Sequence, residues 1–378
     1  MHSLKMKFLS LGLAVGMTLG FAGCAMSAPA SVGTIGEVEI PAGIYLLAQY
    51  NAYNTAANAA ELATGETASD VKAVLKAQCT GTIGDEEVTA SGEEYVQRLT
   101  QRSLEYYAAV ETKFDELGGT LSEEEIASAG ASADSMWESG GDLYEKNGIG
   151  KDTLKNYLLN GTKADKLADL LYGEDGVSPI SDEELAAFVT DECYYIEAVE
   201  FPLLDYSTYS FATEEQAAEI EAVADDCLAE LTAAATGETA QTSAVYNAAM
   251  TYVPQAMAVL GSEMDAGTAI YYGMSQLALP DDLASYGSGE TNSLTDPLDE
   301  AGAGKWVKID LGMYYMVARK LDPLTALTLD DVKAQYDLVA ELKGDEVEAQ
   351  LYEEGAALPH SLNAGAMKTY SAGKIRKN

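Results

Sequence analysis

Histidine is nearly absent from this chain: there are two, His2 and His360, in 378 residues. If the N-terminal segment that carries His2 is removed, His360 alone survives; a multi-histidine metal centre is then excluded, and one chance remains at a histidine-based triad. Cations are also scarce. The 22 Lys and Arg face 61 Asp and Glu, a formal charge of −39. That balance disfavours nucleic acid, whose phosphates demand neutralising cations. Of the four cysteines, Cys79, Cys193 and Cys227 lie far apart, with no C-x-x-C spacing; this odd set excludes a disulfide framework and allows one pair at most. No G-x-x-x-x-G-K-[ST] or G-x-G-x-x-G segment is present to cradle phosphate, and no Asp/Asn cluster has calcium-loop spacing. No apolar run reaches the roughly 20 residues of a membrane-spanning helix.

What is present begins with an address. Lys5 and Lys7 precede an uncharged run, residues 8–21, that ends in Phe21-Ala22-Gly23-Cys24. A basic start, a short apolar run and small residues describe a secretory leader. Ala-Gly-Cys resembles a bacterial lipobox, with Phe21 in the place of the usual Leu. The expectation is a leader of residues 1–23, Cys24 as the acylated first mature residue and a tether over 24–34. The plainer alternative is cleavage near Ala28 or Ala30. Apolar residues make up 47% of the chain, enough for sizeable cores. Cys79, Cys193 and Cys227 are then the remaining cysteines, expected as buried free thiols.

Periodicity places the elements. A brief strand is expected over 35–40 and a long helix over 41–62. Capping boxes announce later helices at Ser91/Glu94, Ser122/Glu125 and Ser181/Glu184, with another helix over 152–171. The second of these is expected to end near Trp137. Residues 194–203, YYIEAVEFPL, alternate as a strand does. Thr213 and Gln216 open a helix to about residue 235, and 245–260 is expected to be helical despite Pro254. Residues 261–304 read as loop. Residues 306–321 return to strand character with a turn at Leu311-Gly312, and Thr328/Asp331 start a helical run to 352. The tail, 368–378, carries four cations and no acid. This order implies an α+β fold with a middle domain between two helical portions.

The charge map adds one sharp fact. Between Leu167 and Gly304 there is no Lys or Arg, against 27 Asp and Glu. An acidic surface serves solubility; the same field attracts basic peptides or divalent ions.

Residues 32–45, VGTIGEVEIPAGIY, together with 153–185 and 324–370, resemble the PrsA/SurA-like extracytoplasmic foldase-chaperones. Residues 194–203 and 306–321 resemble the first and last strands of a parvulin-type prolyl isomerase domain. The resemblance implies a mostly helical, discontinuous chaperone-like domain (35–193 and 323–378, the latter ending in the basic tail) with a parvulin-like α/β domain inserted at 194–322. The family's two strand histidines fall on Ala198 and Tyr315, so both positions are vacant, and the Gly-rich segment between them is not visible. Twisting a prolyl amide meets a barrier near 20 kcal/mol, which a preorganised polar cluster must lower. Catalysis is therefore not expected, and no catalytic residue, cofactor or metal is assigned. The resemblance implies unfolded or exported polypeptides as partners. It places the chain outside the bacterial cytoplasmic membrane, held there through its lipid.

The chain has 23 Tyr and six Phe. Tyrosine joins an apolar face to a hydroxyl, which suits contact with varied unfolded segments. Tyr194, Tyr271, Tyr272, Tyr314 and Tyr315 are the candidate peptide-binding residues. The bland reading makes most tyrosines half-buried core residues. Ser371-Ala-Gly-Lys374 matches S-x-x-K without its companion motifs, and His360 reads as a surface bystander. Two alternatives stay open: a lipoprotein that binds a small ligand or wall component, and an active isomerase using other polar residues.

Overall fold

The computed structural model describes residues 30–377, apart from 66, 69, 206, 207, 235, 236, 238, 289 and 290. The expected leader, Cys24 and the first part of the tether lie outside the described residues. The chain is α+β and forms two compact units. One joins residues up to Ala108 with Ala133–Leu154 and the chain from Leu358 onward; the other comprises Ala109–Ser132 and Lys155–Ala357.

The first unit opens with β1 (Ser31–Ile35) and β2 (Val38–Pro41), a hairpin where one strand was expected. Gly36 makes the difference: its φ of 57° is a turn conformation that side chains disfavour. Pro41 then precedes α1 (Ala42–Thr64), whose Ile44, Leu47, Ala48, Ala52 and Tyr53 are buried. Gly65 closes this helix at φ 71°, its N–H donating to the Glu61 carbonyl. The short α2 (Val71–Lys76) leads to a second hairpin, β3 (Gln78–Ile83) and β4 (Glu86–Ser91). Ser91 Oγ accepts from Glu94 N at 3.3 Å at the start of α3 (Gly92–Glu116). Ser122 and Glu125 likewise open α4 (Glu123–Lys146). That helix runs well past Trp137. It continues through Ser139-Gly140-Gly141, and Tyr144 beyond them packs edge-on against Tyr50, centroids 6.2 Å apart. Next comes α5 (Lys151–Tyr172).

In the second unit the Asn160 side chain, within α5, is buried and donates to Glu111 Oε1 at 2.9 Å. Ser181 and Glu184 form the expected capping box of α6 (Asp182–Glu192). Then follow β5 (Tyr194–Pro202), the small hairpin β6 (Leu204–Asp205) and β7 (Ser210–Phe211), α7 (Glu214–Ala234) and α8 (Thr242–Val259), which contains Pro254. The stretch expected as loop holds α9 (Ala266–Ala269), β8 (Gly273–Ala278), α10 (Pro280–Ala284), the pair β9 (Gly287–Ser288) and β10 (Thr291–Asn292), and α11 (Thr295–Ala301). The strand GMSQLA has no β-branched residue, so pairing with β5 rather than propensity makes it a strand. β11 (Val307–Asp310) and β12 (Tyr314–Leu321) flank the turn at Gly312, φ 79°. Short α12 (Pro323–Ala326) and α13 (Leu329–Gln335) precede α14 (Leu338–Ala357).

The sheet order is β11-β12-β5-β8, all antiparallel. On one face Val199, Phe201 and Val317 pack with Ile220, Ala224 and Leu231 of α7 and Val245, Ala249 and Val253 of α8. On the other, Ile196, Ala198, Met316 and Ala318 meet Leu283 of α10 and Leu298 of α11. A side chain such as Phe201, wholly buried, contributes roughly 1.5–3 kcal/mol.

The chain re-enters the first unit with β13 (His360–Leu362) and α15 (Ala364–Thr369). β13 adds to β1, giving the order β13-β1-β2, over a core of Val32, Ile35, Ile40, Ile44, Leu104 and Ala366.

Candidate functional site

Register decides what the sheet can present. Ala318 stands opposite Ala198, and Tyr315 opposite Phe201. Successive strand residues point to opposite faces. Ala198 therefore faces α10 and α11, while Tyr315 packs on the α7–α8 side. The two positions that the family resemblance assigns to imidazoles lie on opposite sides of the sheet. A motif match alone cannot see this, because it carries no cross-strand register.

On the α7–α8 side lies a buried polar network that the sequence reading did not single out. Glu197 and Arg319 are both wholly buried. Arg319 Nε and Nη2 donate to Glu197 Oε2 at 2.8 and 2.6 Å. Arg319 also donates to the carbonyls of Gly237 and Thr239 and lies 4.9 Å from the Trp306 ring centroid. Glu197 Oε1 accepts from Gln241 N at 2.5 Å and Ser275 Oγ at 3.2 Å. These bonds tie the α7–α8 connection to the sheet. The available signal was a charge at a buried phase of each strand: Glu197 in YIEAVEF and Arg319 in MVARKL.

The candidate tyrosines separate. Tyr194 begins β5, at the end of the sheet where β12 and β8 finish. Its hydroxyl donates to Asp299 Oδ1 at 2.8 Å, with Lys320 Nζ 4.7 Å from its ring. Burial first, and then the Asp299 carboxylate, push its pKa up to about 12. The other four lie at the opposite end, about eight residues or 25 Å away along the strands. There Tyr272 and Tyr315 are half-buried against the α7–α8 core. Burial, then Glu221 and Asp310, raise the Tyr315 pKa. Tyr314 is half-buried on the other face, its hydroxyl 3.3 Å from that of Tyr286. Tyr271 alone of the five is fully open, at 85% exposure.

Three apolar side chains missed by the sequence reading share that end. Leu203 N donates to the Met313 carbonyl, and the β6–β7 hairpin follows at once. Tyr209 and Phe211 project from the hairpin at 80% and 62% exposure, and Met313 from the β11–β12 turn at 48%. Tyr209 is the one described non-glycine residue with positive φ, at 53°. A bulky side chain held there stores strain. Tyr271, Tyr209, Phe211 and Met313 thus form an apolar rim around one end of the sheet. Glu200 lies at the same end, half-buried on the Ala198 face. Burial raises its pKa.

The first unit holds a separate cavity of about 180 Å³. Tyr45, Gln49, Val96, Thr100, Leu104 and Met367 are among its walls. Gln49 Nε2 donates to Tyr45 Oη at 3.0 Å, and Glu93, Gln97 and Gln101 add further polar groups to a mostly apolar lining. Ser371 reaches this cavity. Lys374 donates to the Thr369 carbonyl at 2.7 Å. His360 is on β13, its Nε2 3.3 Å from Glu105 Oε1. Cys79, Cys193 and Cys227 are buried free thiols. Among the described residues no group of three or more His, Cys, Asp or Glu can hold a metal ion, and no helix is long and apolar enough to cross a membrane.

No protein-family model matches the chain, and no curated protein does. Among solved structures it is similar to foldase protein PrsA from Streptococcus pneumoniae str. Canada MDR_19A, at 11% identity and a TM-score of 0.35, over 77% of this chain and 98% of that one. It is also similar to PrsA from Bacillus subtilis, at 14% identity and a TM-score of 0.28, over 76% and 95%. A third is the peptidylprolyl isomerase PrsA from Bacillus cereus, at 12% identity and a TM-score of 0.26, over 77% and 97%.

Proposed function

We propose that this protein is an exported lipoprotein, anchored through Cys24, that binds unfolded or exported polypeptides as a chaperone-like foldase without prolyl isomerase catalysis. In this reading residues 194–322 are a parvulin-like domain that has kept its sheet and lost its chemistry. The observation that carries it is the apolar rim: Tyr209, Phe211, Tyr271 and Met313 are all exposed at one end of the β11-β12-β5-β8 sheet. Exposed aromatics grouped in one place mark an interaction surface. Tyrosine and methionine adapt to varied partners.

The test is suppression of aggregation. The purified chain, in several-fold molar excess over a denatured client, slows the client's aggregation; no effect defeats the reading. In a proline-limited refolding assay the client refolds at its uncatalysed rate. Acceleration at ordinary foldase levels restores the isomerase alternative. Cys24→Ser moves the protein from the membrane fraction to the soluble one.

The cavity beside Tyr45 and Gln49 favours a second reading, a lipoprotein that binds a small ligand or wall component. A thermal-shift screen of wall fragments separates the two: this reading requires a stabilising fragment whose effect is lost in Gln49→Leu.

A further inference from the structure

Glu200 is a half-buried carboxylate near the rim end of the sheet, on its α10–α11 face, and its surroundings ask for a cation that the protein does not supply. Met316 stands directly across from it on β12. Tyr314 on β12 and Met274 on β8 are its diagonal neighbours on the same face. Tyr286 reaches that group through its hydroxyl contact with Tyr314. Among the described residues the Glu200 side chain has no hydrogen-bond or ion-pair partner.

The cations on the neighbouring strands are engaged elsewhere. Lys308 binds Glu221 and Asp225. Arg319 binds Glu197 on the other face, and Lys320 binds Asp299 at the far end. The sequence from Leu167 to Gly304 offers no cation at all. A carboxylate held half out of water without a counter-charge is unfavourable, so an arriving cation gains what the fold leaves unsatisfied.

We propose that Glu200 receives a lysine or arginine side chain of the polypeptide bound at the rim. This rests on the polypeptide-binding reading and adds a preference for basic segments. The chemistry of the walls fits such a side chain. The methylene stem lies along the half-buried Met274, which is soft and adaptable. The charged head meets Glu200 and the faces of Tyr314 and Tyr286. A single carboxylate suits an organic cation; a hard metal ion wants several oxygens.

The test uses short labelled peptides of Ala, Ser and Tyr that differ at one position: Lys, norleucine or Glu. Fluorescence anisotropy gives their affinities for the wild-type chain, for Glu200→Gln and for the triple variant Tyr209→Ser/Phe211→Ser/Tyr271→Ser. Wild type binds the Lys peptide roughly fivefold more tightly than the norleucine peptide, and the Glu peptide most weakly. Glu200→Gln erases the Lys preference and leaves norleucine binding unchanged. The triple variant loses all three peptides together. A Lys preference that survives in Glu200→Gln overturns the inference, as does wild type binding all three peptides alike; both leave the polypeptide-binding reading standing. If wild type binds none of the peptides, both fall. Even if a variant folds poorly, equal binding of the three peptides by wild type still overturns the inference.

Discussion

Glu197 and Arg319 face each other across the two central strands, both wholly buried and joined by two hydrogen bonds of 2.8 and 2.6 Å. Two charges without access to water depend on each other, since the loss of one strands the other. Arg319→Met therefore lowers unfolding free energy by roughly 3–5 kcal/mol in denaturant titration. The double variant Glu197→Met/Arg319→Met recovers most of that loss. A single variant that costs less than about 1 kcal/mol contradicts the burial argument.

The rim separates function from stability. Replacing Tyr209, Phe211 and Tyr271 together by Ser removes exposed side chains and leaves unfolding free energy within about 0.5 kcal/mol of wild type. Suppression of client aggregation falls in the same variant. Tyr209→Gly acts differently: it relieves a backbone held at φ 53° and raises stability by roughly 1 kcal/mol. Calorimetry and the aggregation assay, run side by side, check both effects.

Acid sensitivity is expected at the start of α4. Lys166 first, and then Ser122, hold the Glu125 carboxyl down at about 2, against an ordinary 4.5. The depressed value means that ionised Glu125 stabilises the folded state above pH 4.5. That contribution disappears as pH falls from there toward 2. Glu125→Gln flattens the stability profile in this window and lowers stability at neutral pH. An unchanged profile would falsify the assignment.

The thiols are inert in the native state. Burial pushes both Cys193 and Cys227 up to about 12, with nearby glutamates adding to the effect. Cys79 is raised too, and its Sγ donates to the Ala56 carbonyl at 3.3 Å. Only the thiolate reacts. A thiol reagent at pH 8 thus labels none of the three until denaturant is added; rapid labelling of the native chain contradicts this.

Much of the fold was legible because local chemistry repeats the global answer. Ser91, Ser122, Ser181 and Thr328 each begin a helix where their spacing to an acidic residue said they would. Residues 194–202 and 314–321 alternate as strands and pair side by side. Other features were not local. β8 has weak strand propensity and exists because β5 offers it an edge. α4 runs past Trp137, and Tyr144 beyond it meets the distant Tyr50. Residues 328–352 divide into α13 and α14 around Tyr336.

By itself, then, the sequence determined the α+β class, several helix starts, the two central strands and the scarcity of histidine. These depend on composition and on spacings within a few residues. Only the tertiary structure decided that Ala198 and Tyr315 face opposite ways, and that Tyr194 is remote from the other four tyrosines. It also gathered Tyr209, Phe211, Tyr271 and Met313 at one end of the sheet and left Glu200 without a cation. Those outcomes follow from strand register and chain reversal, which bring together residues about a hundred positions apart. No local pattern encodes which face of a sheet they will share.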